Sequence, residues 1–137
     1  MFAYRNEIIN SVKTNPTTII VGETGSGKTT QIAQYLLDSG LFRSMIGDPF
    51  SCRDGVIGIT QPRRVAAITV AKRVSEERGT RIGEEVGYSV RFDECCSANT
   101  SIKFLTDGML LREAMIDQSL SRYVSLLLIA QIQRANH

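Results

Sequence analysis

The chain has 137 residues, 42% of them hydrophobic and 22% charged, with a net charge of +2. That length buries one core rather than two, the composition is that of a globular domain, and so small a charge leaves any nucleic-acid surface to local patches. The longest apolar run, Leu126 to Ala130, is far short of a membrane span, and the start Met1-Phe2-Ala3-Tyr4-Arg5 has no basic stretch leading into an apolar segment, so neither a membrane anchor nor a secretory signal is expected.

Residues 2–14 carry Ile8, Ile9 and Val12 at helical spacing, and Asn15-Pro16 ends the pattern because the residue before proline is pushed out of the α region. Thr17-Thr18-Ile19-Ile20-Val21 is β-branched throughout and is expected to be a buried first strand. Gly22-Glu23-Thr24-Gly25-Ser26-Gly27-Lys28-Thr29 then satisfies G-x-x-x-x-G-K-[ST], and Ile32, Ala33, Leu36 and Leu37 set a helix after it. Strand, glycine loop and helix are the context in which this motif cradles phosphate. Gly22, Gly25 and Gly27 allow a tight turn, the loop N–H groups form an anion nest at a helix N-terminus, Lys28 supplies a point charge, and the Thr29 hydroxyl is a hard ligand for Mg²⁺. Ser39-Gly40 closes the helix, and residues 41–55 are expected to be a surface loop insertion that includes Cys52.

Val56-Ile57-Gly58-Ile59-Thr60 is the second expected strand, and Pro62 suits the first turn of the helix after it. That helix buries Ala67, Val70, Ala71 and Val74 and presents Arg63, Arg64, Lys72, Arg73 and Arg78 as a basic face, ending at Arg78-Gly79. A polar link at 80–85 leads to a third strand, Val86 to Val90, then a polar turn at 95–100 and a fourth strand, Ser101 to Thr106. Asp107 is an expected N-cap for a helix from Met109 to Met115 whose Leu110, Leu111, Ala114 and Met115 face inward. Val124 to Ile129 is a fifth strand, apolar enough for burial on both faces, and 130–137 is a frayed tail. Tyr88 and Phe92 read as core residues, and the free Cys52, Cys95 and Cys96, without metal spacing, suit a reducing compartment, nucleus or cytoplasm.

Strands alternating with helices imply an α/β fold with a mostly parallel sheet covered on both faces, whose ligands sit beyond the strand carboxyl ends. The glycine loop, Thr60-Gln61-Pro62-Arg63-Arg64 and Thr106-Asp107-Gly108 all fall at such ends and should share one rim. Hydroxyls, helix N-termini and guanidinium groups hold a phosphodiester backbone without reading its bases. A solvated helix start for Arg63 and Arg64, and a plain helix cap for Thr106 and Asp107, remain alternatives.

Four segments carry a family resemblance. Gly22 to Gln31 resembles motif I of the DEAH-box RNA helicases, Thr60 to Ala67 their motif Ia, Gly87 to Asp93 a further signature, and Thr106 to Glu113 motif Ib. Order and spacing agree over roughly residues 4–125. The resemblance implies a P-loop NTPase of RecA-like fold, here a single incomplete domain over 1–137, from ATP-driven translocases on single-stranded RNA that work within protein complexes. It implies that Gly22, Glu23, Thr24, Gly25, Ser26, Gly27, Lys28, Thr29 and Thr30 hold ATP and Mg²⁺, with Lys28 and Thr29 catalytic and Thr29 the metal ligand. It implies that Arg73 stacks on adenine, and that Arg63, Arg64, Thr106, Asp107 and Gly108 lie against the RNA backbone. One departure stands out: where the family carries Asp-Glu-Ala-His, this chain has Ile129-Ala130-Gln131-Ile132, and Asp117 is its last acidic residue. The chain therefore reads as a truncated first motor domain that binds ATP without useful turnover. A catalytically silent nucleotide- or RNA-binding fragment is the second reading. A small kinase is the third, and it lacks the arginine-bearing lid such an enzyme needs.

Overall fold

The computed structural model describes residues 2–21, 27–40 and 55–128. A single 3₁₀ turn, Phe2–Tyr4, leads into α1 (Arg5–Thr14), which stops where Asn15 turns extended (φ −127°, ψ 142°) ahead of Pro16. Next come α2 (Lys28–Asp38), β1 (Val56–Gln61), α3 (Arg64–Glu77), β2 (Val86–Val90), β3 (Asp93–Cys95), β4 (Ile102–Thr106), α4 (Asp107–Ile116) and β5 (Tyr123–Leu127). The sheet order is β3-β2-β4-β1-β5, with parallel pairing everywhere except the β2–β3 hairpin.

Alternation along the strands divides the sheet into two unlike faces. On one, Ile57, Ile59, Val86, Tyr88, Val90, Ile102 and Phe104 join Ile8, Ile32, Ala33 and Leu36 of α1 and α2 and Ala67, Ala71 and Val74 of α3 in one apolar core. On the other, the register sets Gly87, Lys103 and Gly58 side by side on β2, β4 and β1. The two glycines leave room for the Cys96 thiol and the Tyr123 ring on either side of the lysine. Lys103 is paired at 2.7 Å to Glu113 of α4, which also accepts a hydrogen bond from the Tyr123 hydroxyl. A polar anchor, rather than an apolar stripe, thus docks α4 on the sheet.

Several expectations are corrected. Thr17 to Val21 forms no strand: among the described residues no segment pairs with it, and Ile19 and Val21 are 86% and 81% exposed. β-Branched residues favour a strand only where a neighbour supplies the ladder. Pro62 precedes α3 rather than entering it, Arg63 being the extended N-cap residue, and Thr106 rather than Asp107 is the N-cap of α4. Leu111 and Met115 face solvent, because α4 presents apolar residues around much of its circumference and Glu113 decides which side meets the sheet. Phe92 is exposed at the tip of the β2–β3 turn with φ 68°, while Tyr88 is buried and donates a hydrogen bond to Asp93. β3 was not expected and meets the expected polar turn at Cys95 alone, and β5 is an edge strand with half-buried residues. Arg78 does not extend the basic face of α3. It turns back to Asp38 at the end of α2 and to Glu85, tying three segments together behind the core. The 41–54 part of the expected loop insertion, including Cys52, and the tail from Ile129 lie outside the described residues.

Candidate nucleotide and RNA site

In the parallel ladder Gln61 of β1 stands beside Thr106 of β4. The two strands therefore finish level with each other, about 4.8 Å apart in the ladder direction. α3 and α4 both start just beyond, with Arg63 and Arg64 exposed at one helix N-terminus and Thr106, Asp107 and Gly108 at the other. Sequence reasoning overlooked Gln61 itself. Its side chain is 7% exposed, and among the described residues its amide nitrogen is buried without a hydrogen-bond partner, an unsatisfied donor between the two helix starts.

Of the expected phosphate loop, Gly22, Glu23, Thr24, Gly25 and Ser26 lie outside the described residues. Gly27 is left-handed (φ 85°), a conformation that disfavours a side chain, and Lys28, Thr29 and Thr30 form the first turn of α2. The Gln31 N–H and the Thr30 hydroxyl close that turn onto the Gly27 carbonyl at 2.9 and 3.3 Å. A left-handed glycine opening a helix whose first residues are lysine and threonine fits a bound phosphate. Thr29 fits Mg²⁺ completed by phosphate oxygens and water, because Mg²⁺ needs few protein ligands. Among the described residues no group of three or more His, Cys, Asp or Glu side chains converges as a metal cluster would.

Arg73 lies on α3 and is brought to α2 through Glu77, one helical turn on. Its Nε is 3.5 Å from Glu77, whose other oxygen accepts from the Gln31 amide at 3.2 Å and the Gln34 amide at 2.8 Å. The structure thus joins Arg73 to the turn carrying Lys28 and Thr29, through three residues that local sequence pattern gave no reason to connect. A separate cavity of about 380 Å³, lined by Lys103, Tyr123, Cys96 and Glu94 among others, opens near the strand amino ends, away from this rim. There burial pushes the Cys96 thiol up to about 11, so it is held neutral.

A mostly parallel α/β sheet with a lysine-threonine helix start on one core-facing helix and two further helices beginning at level, neighbouring strand ends is the architecture of a partial RecA-like domain. The chain is similar in sequence to DEAH-box ATP-dependent RNA helicases. It is 50% identical over 131 residues to the pre-mRNA-splicing factor ATP-dependent RNA helicase DEAH10 of Arabidopsis thaliana, and 50% identical over 129 residues to the probable ATP-dependent RNA helicase DHX35 of Homo sapiens and of Pongo abelii. These alignments take in 93–95% of this chain but only 17% of each relative, so the chain spans about a sixth of the length of the proteins it resembles. No family model matches it. No helix among the described residues is long and apolar enough to cross a membrane.

Proposed function

We propose that this chain is the nucleotide- and RNA-binding part of a helicase motor, holding ATP with Mg²⁺ at Gly22 to Thr30 and the backbone of single-stranded RNA at Arg63, Arg64, Thr106, Asp107 and Gly108. The observation that carries this reading is the pairing of Gln61 with Thr106, which makes neighbours of two helix starts 40-odd residues apart in sequence. Bound Mg²⁺ neutralises phosphate charge and polarises the terminal phosphoryl group. Lys28 holds the β- and γ-phosphates, Thr29 offers its hydroxyl to the metal, and Arg73 offers a guanidinium plane to adenine. Asp107 and Gly108 present backbone N–H groups at the start of α4, Thr106 a hydroxyl, and the two arginines charge.

Ile129 and Ala130, in the place of the family's Asp and Glu, bring no carboxylate to hold the metal's water shell or orient an attacking water. The chain as given is therefore a binder of ATP rather than a hydrolase, with RNA affinity that is weak, indifferent to sequence and steeply salt-dependent. Titration with Mg-ADP and with a labelled oligouridylate tests this. Wild type binds both, and Lys28→Ala loses the nucleotide. RNA-stimulated phosphate release well above the Lys28→Ala background would overturn the hydrolysis statement, and nucleotide affinity unchanged by Lys28→Ala would overturn the site. Such a motor works inside the cell and in company with other proteins. A nuclear setting follows if the splicing role in the plant relative's name extends to this chain.

A further inference from the structure

Glu77 holds more partners than a surface glutamate needs. Its pair with Arg73 is an exposed i,i+4 contact, with the arginine side chain 70% and the glutamate 33% exposed. Pairs of that kind contribute about 0.3–0.5 kcal/mol, and less with the basic residue first. The carboxylate is nevertheless fixed from the other side by two amides of α2. One of them, Gln34, is 9% exposed and at the same time donates to the Thr30 carbonyl at 2.7 Å. The other, Gln31, also donates to the Thr30 hydroxyl at 3.3 Å. A continuous set of hydrogen bonds therefore runs from the third residue of α2, beside Lys28 and Thr29, through Gln31 and Gln34 to Glu77, and an ion pair at 3.5 Å extends it to Arg73.

We propose that Glu77 is a positioning residue for the nucleobase: pinned by Gln31 and Gln34, it orients the Arg73 guanidinium relative to the phosphate-binding turn. This rests on the reading of Arg73 as the group that stacks on the base. The contact uses the Nε edge, which leaves both planar faces and the terminal nitrogens open, the geometry that stacking on an aromatic ring requires. A free arginine loses side-chain entropy when a base settles on it, and one already held at its edge loses less. The amides that bond this carboxylate also bond Thr30, so the arginine edge is linked to the turn after Gly27 before any ligand arrives. The ligand class is a nucleoside di- or triphosphate whose base reaches α3, as opposed to a bare polyphosphate.

The test compares Mg-ADP with inorganic pyrophosphate by calorimetric titration of the full chain, using wild type, Lys28→Ala, Arg73→Ala, Glu77→Ala and Glu77→Gln. Glu77→Ala is expected to weaken ADP about twofold, what a weak exposed pair can contribute by pre-organising the arginine, and to leave pyrophosphate unchanged. Glu77→Gln, which still accepts from the two amides, falls between wild type and Glu77→Ala. In an Arg73→Ala background, Glu77→Ala adds nothing further. Equal losses on ADP and pyrophosphate would make Glu77 a scaffold residue and overturn the proposal, as would no loss on either while Lys28→Ala abolishes both. If wild type binds neither ligand, the nucleotide site itself fails and the proposal falls with it.

Discussion

Substituting Gly58 with alanine tests the polar face of the sheet at its most crowded point. A Cβ built there lies 2.7 Å from Cδ1 and Cε1 of Tyr123 and 2.8 Å from Cδ2 of Leu126. Carbon atoms in contact prefer about 3.5–4.0 Å, so something must move by nearly an ångström. The ring is held by its hydroxyl on Glu113 and by Lys103 Nζ, 5.7 Å from its centroid, and β1 is laddered on both sides by β4 and β5. Overpacking of this kind costs about 1–3 kcal/mol, and with both neighbours anchored about 2 kcal/mol is expected. With a urea slope of roughly 2 kcal/mol per molar, the unfolding midpoint falls by about 1 M. Two glycines with nothing within 4 Å of a built Cβ serve as controls. Gly79→Ala costs about 1 kcal/mol, because Gly79 is left-handed at φ +67°. Gly108→Ala, inside α4, gains roughly 0.5–1 kcal/mol. Tyr123→Leu introduced with Gly58→Ala should recover much of the loss, which a double-mutant cycle reads as strong coupling. A Gly58→Ala midpoint indistinguishable from wild type, or additive behaviour in that cycle, would refute the steric reasoning.

Glu113→Ala leaves Lys103, 11% exposed, without its partner, and should cost about 3–5 kcal/mol by urea unfolding, whereas the double change Lys103→Met with Glu113→Gln should be clearly milder. Equal costs would show the pair to be ordinary surface charge. The Cys96 thiol, its burial outweighing the nearby Lys103 ammonium, titrates at about 11 against 9.0 for an unperturbed thiol. Folding favours its protonated form, so its contribution is intact below pH 9 and stability falls as pH rises from 9 toward 11. At pH 8 alkylation of Cys96 should run about a hundredfold slower than that of a small free thiol, and a rate comparable to the free thiol would contradict the burial. Gln61→Met should cost less than about 0.5 kcal/mol, because it removes a buried donor that has no partner among the described residues; a loss above ~1 kcal/mol would reveal a bond. For RNA, Arg64→Ala should flatten the plot of log affinity against log salt by about 0.7, whereas Thr106→Ala, which removes no charge, should lower affinity at unchanged slope. Identical slopes for wild type and Arg64→Ala would remove Arg64 from the backbone contact.

What could be read from the sequence was what depends on local period. α1, α2 and α3 follow from apolar residues three and four apart, and β1, β2 and β4 from short buried runs ended by Gln61-Pro62, Arg91 and Asp107. The misreadings share one physical origin, a partner distant in the chain. Thr17 to Val21 has the composition of a strand and no ladder neighbour among the described residues. Arg78 looks like the end of a basic face and instead bridges Asp38, 40 residues earlier, and Glu85. Leu111 and Met115 fit an inward stripe as well as Leu110 and Ala114 do, and the bonds of Glu113 to Lys103 and Tyr123 favour the rotation of α4 that half-buries Leu110 and Ala114. At the site, the level ending of β1 and β4 was legible because parallel strands end together, while the Glu77 connection was not, because Gln31 lies 46 residues from it.

The two faces of the sheet impose different mechanical characters on the two ligand surfaces. Lys28 and Arg73 sit on helices whose inner sides, Ile32, Ala33, Leu36, Ala67, Ala71 and Val74, are sealed into the apolar core. Their separation is defined by close packing, which deforms little. α4, in contrast, buries no residue fully, and its dock on the lean face passes through one glutamate shared by Lys103 and Tyr123. Thr106, Asp107 and Gly108 are therefore placed by chain continuity with β4 at one end and by that single polar anchor at the other. Tyr123 opens β5, the strand that precedes Ile129 and Ala130 in sequence, and its hydroxyl bonds this edge of the sheet directly to Glu113 of α4.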